Sequence, residues 1–309
     1  ASVLLQSSVF ADKEVPGYAD PRLAGHGALP QDGQPWLPLS ELLQTMLESG
    51  RLQLPWLEPT GFSDLRFAAP LPLPEAVTRE CRITARSQSW LLQDGVMTRM
   101  CHVRLQSRDL APNLRRINHF SPLARGMVFL AAAAGSLPPL WDGEMAVTGP
   151  DLPLEDFYAG CGMAEGWRLL EELAPAGDDL WQGRFDGMAQ GIAPAGKSGY
   201  CSLLSAVDAI LQAACRIMEE TVPGAELAGG RLLWPQGWRL SGIGFIRFAD
   251  AGLLCGARMP WRIQLRRGWD DERLQRYDAQ VVDADGRVLL TLHQMEFEKD
   301  VRPQEGAGA

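Results

Sequence analysis

Leu203-Leu204-Ser205-Ala206-Val207-Asp208-Ala209-Ile210-Leu211-Gln212-Ala213-Ala214-Cys215 is the stretch whose reading decides the fold. Apolar residues at 203, 204, 207, 210, 211, 214 and 218 recur at the helical period, which predicts a mostly buried helix over about 202–220. Asp208 and Gln212 stand four apart, so they stack on one helix face at the margin of the apolar stripe. A carboxylate so placed is either an acid held for chemistry or an ordinary cap or boundary residue. This segment alone leaves both readings open.

Downstream of the helix, β-rich runs predict strands at about 231–248, 252–266 and 275–298, and Asp283-Ala284-Asp285-Gly286 predicts a hairpin turn within the last group. The first half has the same plan. Gly33-Gln34-Pro35-Trp36-Leu37-Pro38 leads into a helix whose Leu39, Leu42, Leu43, Met46 and Leu47 fall at i, i+3, i+4, i+7 and i+8 and which ends near Gly50. Strands are predicted at Phe62 to Ala68, Arg79 to Ser89 and Met97 to Ser107, with a turn at Gln93-Asp94-Gly95. One helix followed by several antiparallel strands, twice over, implies an α+β fold in which each helix is wrapped by a curved sheet, a double hotdog. Residues 1–145 form the expected N-terminal subdomain, with a connector from about 110 that carries a short helix near Ala131 to Ala134. Residues 146–300 form the C-terminal subdomain, and 301–309 read as a linker-like tail. The start at Ala-Ser-Val and this tail lead us to expect a piece of a longer polypeptide.

With 309 residues and 46% hydrophobic content the chain can bury a large core. The net charge of −9 and arginines interleaved with acids argue against nucleic-acid binding as its main business. Arg262, Arg266 and Arg267 form the densest cationic stretch, read as a solvated strand face, with docking of an acidic partner as the lesser alternative. The six cysteines show no C-x-x-C spacing and read as reduced cytoplasmic thiols. No apolar run reaches membrane-spanning length, and the start lacks the features of a signal peptide. Gly242-Ile243-Gly244 is too short for a dinucleotide fingerprint. There is no Gly-x-Ser-x-Gly nucleophile elbow. The ten tryptophans are scattered and read as core and tunnel walls.

Of the four histidines, His102 and His293 fall in strand patterns and His119 in a polar connection, all read as surface or packing residues. His26 lies between glycines in Ala24-Gly25-His26-Gly27-Ala28, just upstream of the first helix, where both a turn residue and a base are open readings.

His26, Gly33 and Leu37-Pro38 before a buried helix, with Asp208-x-x-x-Gln212 in the second half, resemble the dehydratase domains of polyketide synthases. The phrasing is most similar to the versions in polyunsaturated fatty acid and enediyne synthases. The family pattern is His-x-x-x-Gly-x-x-x-x-Pro in the first half and Asp-x-x-x-Gln or Asp-x-x-x-His in the second. Gly33 and Pro38 keep their mutual spacing, whereas three extra residues separate His26 from Gly33. The family's Tyr-Gly-Pro or His-Gly-Pro is replaced by Cys161-Gly-Met-Ala-Glu-Gly-Trp167, and the His-Pro that often precedes the aspartate is absent.

The resemblance implies a 3-hydroxyacyl-[acyl carrier protein] dehydratase, a carbon–oxygen lyase. It implies His26 as base, Asp208 as acid, and Gln212 holding the hydroxyl or orienting Asp208. Gly33 and Pro38 would contact substrate, and backbone N–H groups near Gly33 would polarise the thioester carbonyl. The substrate would arrive on the phosphopantetheine of an acyl carrier protein, so no metal or diffusible cofactor is expected. Expected partners are that carrier, neighbouring synthase domains and a second copy in a homodimer, in the cytoplasm. The altered His26 spacing keeps a second expectation in view, a catalytically inactive dehydratase-like scaffold or carrier-docking domain. A third keeps the fold and changes the reaction to isomerisation, cyclisation or thioester hydration.

Overall fold

The computed structural model describes residues 2–10, 39–68, 78–93, 95–110, 119–133, 135–141, 145–161, 168–185, 200–223, 237–250, 257, 259–268 and 271–299. In chain order these form β1 (Ser2–Phe10), α1 (Leu39–Gln53), β2 (Glu58–Phe67), β3 (Thr78–Gln93), β4 (Val96–Leu110), β5 (Ser121–Ala131) and α2 (Leu154–Gly160). There follow β6 (Leu170–Gly177), β7 (Leu180–Phe185), α3 (Tyr200–Thr221), β8 (Trp238–Phe248), β9 (Trp261–Arg267), β10 (Leu274–Val282) and β11 (Val288–Lys299).

The strands form one antiparallel sheet in the order β1-β3-β4-β5-β2-β8-β11-β10-β9-β7-β6. The repeat expected from the sequence is visible as topology. The four strands after α1 lie in the order β3-β4-β5-β2, and the four after α3 in the order β9-β10-β11-β8. In each half the strand that leaves the helix runs to the middle, and these two strands, β2 and β8, pair with each other. Their register sets Gly61 opposite Arg247, Phe62 opposite Ile246 and Leu65 opposite Ile243. The two wraps are therefore joined edge to edge, which removes two sheet edges that would otherwise be open to pairing with another chain. Gly61 is required at this seam. Its φ is +152°, and a Cβ there would run into the carbonyl oxygen of Ile246.

The two long helices, α1 and α3, pack against each other, α1 over strands of the first half and α3 over strands of the second. In α1 the predicted stripe Leu39, Leu42, Leu43, Met46 and Leu47 is buried. In α3 burial is not confined to a stripe, because every residue from Leu203 to Arg216 is buried. The expectation that Asp208 and Gln212 lie at the margin of the helix is therefore corrected: both are 0% exposed. The reason is packing on two sides, α1 against one flank of α3 and strands of the second half against others. Small residues at Ala206, Ala209, Ala213 and Ala214 let these neighbours come close.

The connector from about 110 is also corrected. Ser121–Ala131 is a full strand, β5, bonded on both sides by β4 and β2. The alanines expected in a short helix begin at the end of that strand. Gly126 permits the tight pairing, since a Cβ there would meet Leu65 at 2.7 Å. The described part of the true connection, 135–141 and 145–153, crosses the second half. The Leu140 N–H donates to Gln280 Oε1 at 2.7 Å, and the N–H groups of Thr148 and Leu152 donate to the carbonyls of Pro175 and Leu173. The Asp283–Gly286 turn is as expected. Asp283 accepts the N–H groups of Asp285 and Arg287 and the Arg287 guanidinium, and Gly286 takes φ +82°.

Candidate functional site

The site is built where α3 meets the start of α1. Asp208 lies in the third turn of α3, on the same face as Gln212, and its carboxyl has no route to bulk water among the described residues. What it meets instead is the first turn of α1, whose backbone N–H groups have no intrahelical acceptor. The Ser40 N–H donates to Asp208 Oδ2 at 3.2 Å. The Ser40 hydroxyl and the Leu39 N–H also bond the carboxyl. Burial lifts the Asp208 pKa from 3.8 to about 7, against the lowering effect of the Ser40 and Leu39 hydrogen bonds. The group is thus a carboxyl close to half-protonated at neutral pH, held at a helix N-terminus.

One turn on, Gln212 faces α2 and the entry to β6. Its Oε1 lies 3.1 Å from the Tyr158 hydroxyl and accepts the Leu169 N–H at 3.1 Å. The Tyr158 oxygen also accepts the Leu170 N–H at 3.0 Å. A peptide N–H can only donate, so the Gln212 atom beside Leu169 is the carbonyl oxygen, and the amide's NH2 is turned to its other side. That fixes Gln212 as a donor away from α2. Burial pushes the Tyr158 phenol up, beyond the range in which it ionises in water. One further turn along, Arg216 closes the arrangement from α3: its Nε donates to the Pro153 carbonyl at the foot of α2, and its guanidinium pairs with Glu219 and Glu220.

Of the residues expected from the sequence, Asp208 and Gln212 are thus brought to one buried face. His26, Gly33 and Pro38 lie outside the described residues. The expected donors near Gly33 lie there too, but the first-turn donors that follow Pro38 in the chain, Leu39 and Ser40, are directed at Asp208. Ser40, Tyr158 and Arg216 were not singled out by sequence reasoning. Ser at a predicted helix start was a usable signal for Ser40. Nothing in the sequence links Tyr158 to Gln212 across 54 positions.

The other candidates are accounted for by structure. His102 is in β4, His293 is in β11 with its Nδ1 4.0 Å from Asp278, and His119 is exposed. Arg266 pairs with Asp278 and lies over the Trp141 ring, and Arg267 pairs with Asp179 and lies over Trp181, so this stretch is a neutralised strand face. Cys101, Cys161 and Cys215 are buried free thiols, and burial raises the pKa of each. No group of metal-ligating side chains occurs among the described residues, and none of the described helices is long and apolar enough to cross a membrane.

A family-model comparison finds no match, and no curated protein matches either. Solved structures do match, over nearly the whole chain. The dehydratase domain from the CurJ module of the curacin polyketide synthase aligns with a TM-score of 0.66 at 14% identity, covering 95% of this chain and 90% of its own. The fold is that of polyketide synthase dehydratase domains. A dehydratase domain of RzxB from Pseudomonas fluorescens aligns with a TM-score of 0.60 at 13% identity, covering 96% of each chain. A variant of the PpsC dehydratase domain from Mycobacterium tuberculosis aligns with a TM-score of 0.62 at 15% identity, covering 95% of this chain and 92% of its own. The double-hotdog architecture expected from the sequence is therefore found, with the two sheets fused through β2 and β8.

Proposed function

We propose that this chain is the dehydratase domain of a polyketide or polyunsaturated fatty acid type synthase, removing water from a 3-hydroxyacyl thioester carried on the phosphopantetheine of an acyl carrier protein. The observation that carries this reading is the state of Asp208. A carboxyl buried completely, lifted to about 7 and anchored by the first turn of α1 is suited to hold a proton at neutral pH and give it to a leaving hydroxyl. It occupies this position in a fold shared with dehydratase domains.

In this reading His26 is the base that takes the proton from Cα. The electron pair of that C–H bond becomes the Cα–Cβ π bond, the Cβ–O bond breaks, and the departing oxygen takes the Asp208 proton and leaves as water. Gln212, with its donor end turned away from α2, holds the hydroxyl or orients Asp208. Gly33 and Pro38 form the substrate-binding wall before α1. The reaction needs no metal or diffusible cofactor. The partners are the carrier and the neighbouring synthase domains, with a homodimer as the assembly, in the cytoplasm; the two subdomains meet near residue 145.

One observation favours a second reading, the inactive scaffold. Asp208 is already engaged by the first turn of α1 and is 0% exposed, as expected of a residue that fastens two helices. A single assay separates the two. Incubation with a 3-hydroxyacyl chain on a carrier protein, followed by mass spectrometry, shows loss of one water from the acyl chain if the domain is active. An acyl mass that never changes, with a folded domain and an accepted carrier, removes the enzymatic reading.

A further inference from the structure

The outer face of the first-half sheet, opposite the helices, has a composition that folding does not explain. Along β4, Cys101, Val103 and Leu105 point into the core, so Met100, His102 and Arg104 point out. In register beside them, Arg86 stands opposite His102, Met127 opposite His102 on the other side, and Arg125 opposite Arg104. Like charges directly opposite on neighbouring strands are destabilising. Arg86, Arg104 and Arg125 are exposed and make no ion pair with an acidic side chain of the described residues, whereas Arg66 and Arg276 share Glu296 and Arg184 is flanked by Glu171 and Glu172. The His102 pKa is lowered by burial and then by Arg104, Arg125 and Arg86, which reports a positive potential on this face.

Apolar groups sit beside the arginines. Phe245, 41% exposed, stacks on Phe129 with ring centroids 6.4 Å apart and planes 4° apart. Ser63 alone separates Phe245 from Met127 in the strand register. Phe129 also lines a cleft of about 400 Å³, together with Val96, Leu137, Pro138 and Arg247. Arginine, methionine and phenylalanine are the residue types enriched in protein–protein interfaces. The net charge makes the contrast sharper. Residues 1–145 hold thirteen Lys and Arg against fourteen Asp and Glu, and the remainder holds sixteen against twenty-four, so the acid excess belongs to the other half.

We propose that this face docks an acidic amphipathic helix of another protein, with Phe245, Met127 and Met100 receiving its apolar residues and Arg86, Arg104 and Arg125 its carboxylates. The dimensions agree. Arg86 on β3 and Arg125 on β5 are two strand spacings apart, about 10 Å, which is the width of a helix with its side chains. This inference does not depend on the dehydratase reading, since none of these residues belongs to the Asp208 site.

The test is fluorescence anisotropy with a labelled synthetic peptide bearing leucines at i, i+3, i+4 and i+7 and glutamates flanking them, at low salt. The wild-type chain is expected to bind saturably, and R86E/R104E/R125E and Phe245→Ser each to bind at least about tenfold more weakly, with affinity falling as salt rises. R104E alone serves if the triple variant does not fold, because it replaces a like-charge pair by an opposite one and is expected to keep the melting temperature. Absence of saturable binding at low salt, equal binding by the arginine variants, or equally tight binding of a DNA oligonucleotide of the same charge overturns the proposal.

Discussion

Asp208 on α3 and Ser40 on α1, 168 positions apart, are joined by a hydrogen bond from the Ser40 N–H to Asp208 Oδ2 at 3.2 Å. One carboxyl thereby does two things. It satisfies donors that begin a helix in the first half, and it keeps a proton near neutral pH because burial outweighs those hydrogen bonds. Each role gives a different response to substitution.

Asp208→Asn keeps an acceptor for Ser40 and removes the ionisable group. The folded-state pKa of Asp208 is raised above its unfolded value, so the unfolded chain loses this proton first as pH rises from about 4. Stability from this group is fully present below the unfolded pKa and is lost as pH rises through about 7. The full difference is on the order of 4 kcal/mol. Asp208→Asn is expected to be more stable than wild type at pH 8 and close to it at pH 4, by urea unfolding, while dehydration is abolished. A variant that is less stable at pH 8 contradicts the buried-acid description.

Gln212→Leu and Tyr158→Phe are each expected to destabilise the fold. Leucine at 212 removes the acceptor of the Leu169 N–H, at roughly 1–3 kcal/mol for a buried group left unsatisfied, while the Tyr158 hydroxyl keeps the Leu170 carbonyl as an acceptor. Phenylalanine at 158 leaves Gln212 Oε1 still bonded to Leu169 but deprives the Leu170 N–H of its acceptor and the Leu170 carbonyl of a donor. Chemical denaturation should show each variant less stable than wild type by roughly 1–3 kcal/mol. A Gln212→Leu variant as stable as wild type would mean that the amide is not oriented as described.

Gly61→Ala tests the seam between the halves. The positive φ and the blocking Ile246 carbonyl leave no space for a side chain, so the β2–β8 pairing has to open. A loss of at least about 3 kcal/mol is expected, with faster hydrogen exchange at the amides of β2 and β8. An unchanged melting temperature would show that the seam is not as tight as Gly61 implies.

Asp283 gives the opposite pH response to Asp208. Burial opposes its ionisation, but the hydrogen bonds and charge of Arg287 prevail and hold its pKa below the ordinary value. Its contribution is present above the unfolded pKa and is lost as pH falls through the folded one. Asp283→Asn should flatten the acid side of the stability profile and leave the neutral-to-basic side unchanged. An acid limb as steep as that of wild type would show that Asp283 is not its source.

Much of the fold was legible in the sequence because its two long helices, α1 and α3, carry apolar residues at the helical period and are long enough for it to show. Leu39 to Leu47 and Leu203 to Met218 carry that signal by themselves. The strands that were missed lack alternation for local reasons. β6 holds two glutamates and Pro175 and survives because it is the last strand of the sheet, where a missing N–H costs little. β5 contains Pro122 and Gly126 and depends on β4 and β2 for its pairing. At the site, Asp208 and Gln212 were visible from their spacing. Their partners were not, because Ser40 and Tyr158 reach them only through tertiary packing.

The most direct measurement is isotope-edited infrared titration of the Asp208 carboxyl, with Asp208→Asn as the blank. A protonated carboxyl band that disappears with a midpoint near pH 7 is expected. A carboxylate already ionised at pH 5 would contradict it, because no acid would then be available to a leaving hydroxyl at neutral pH.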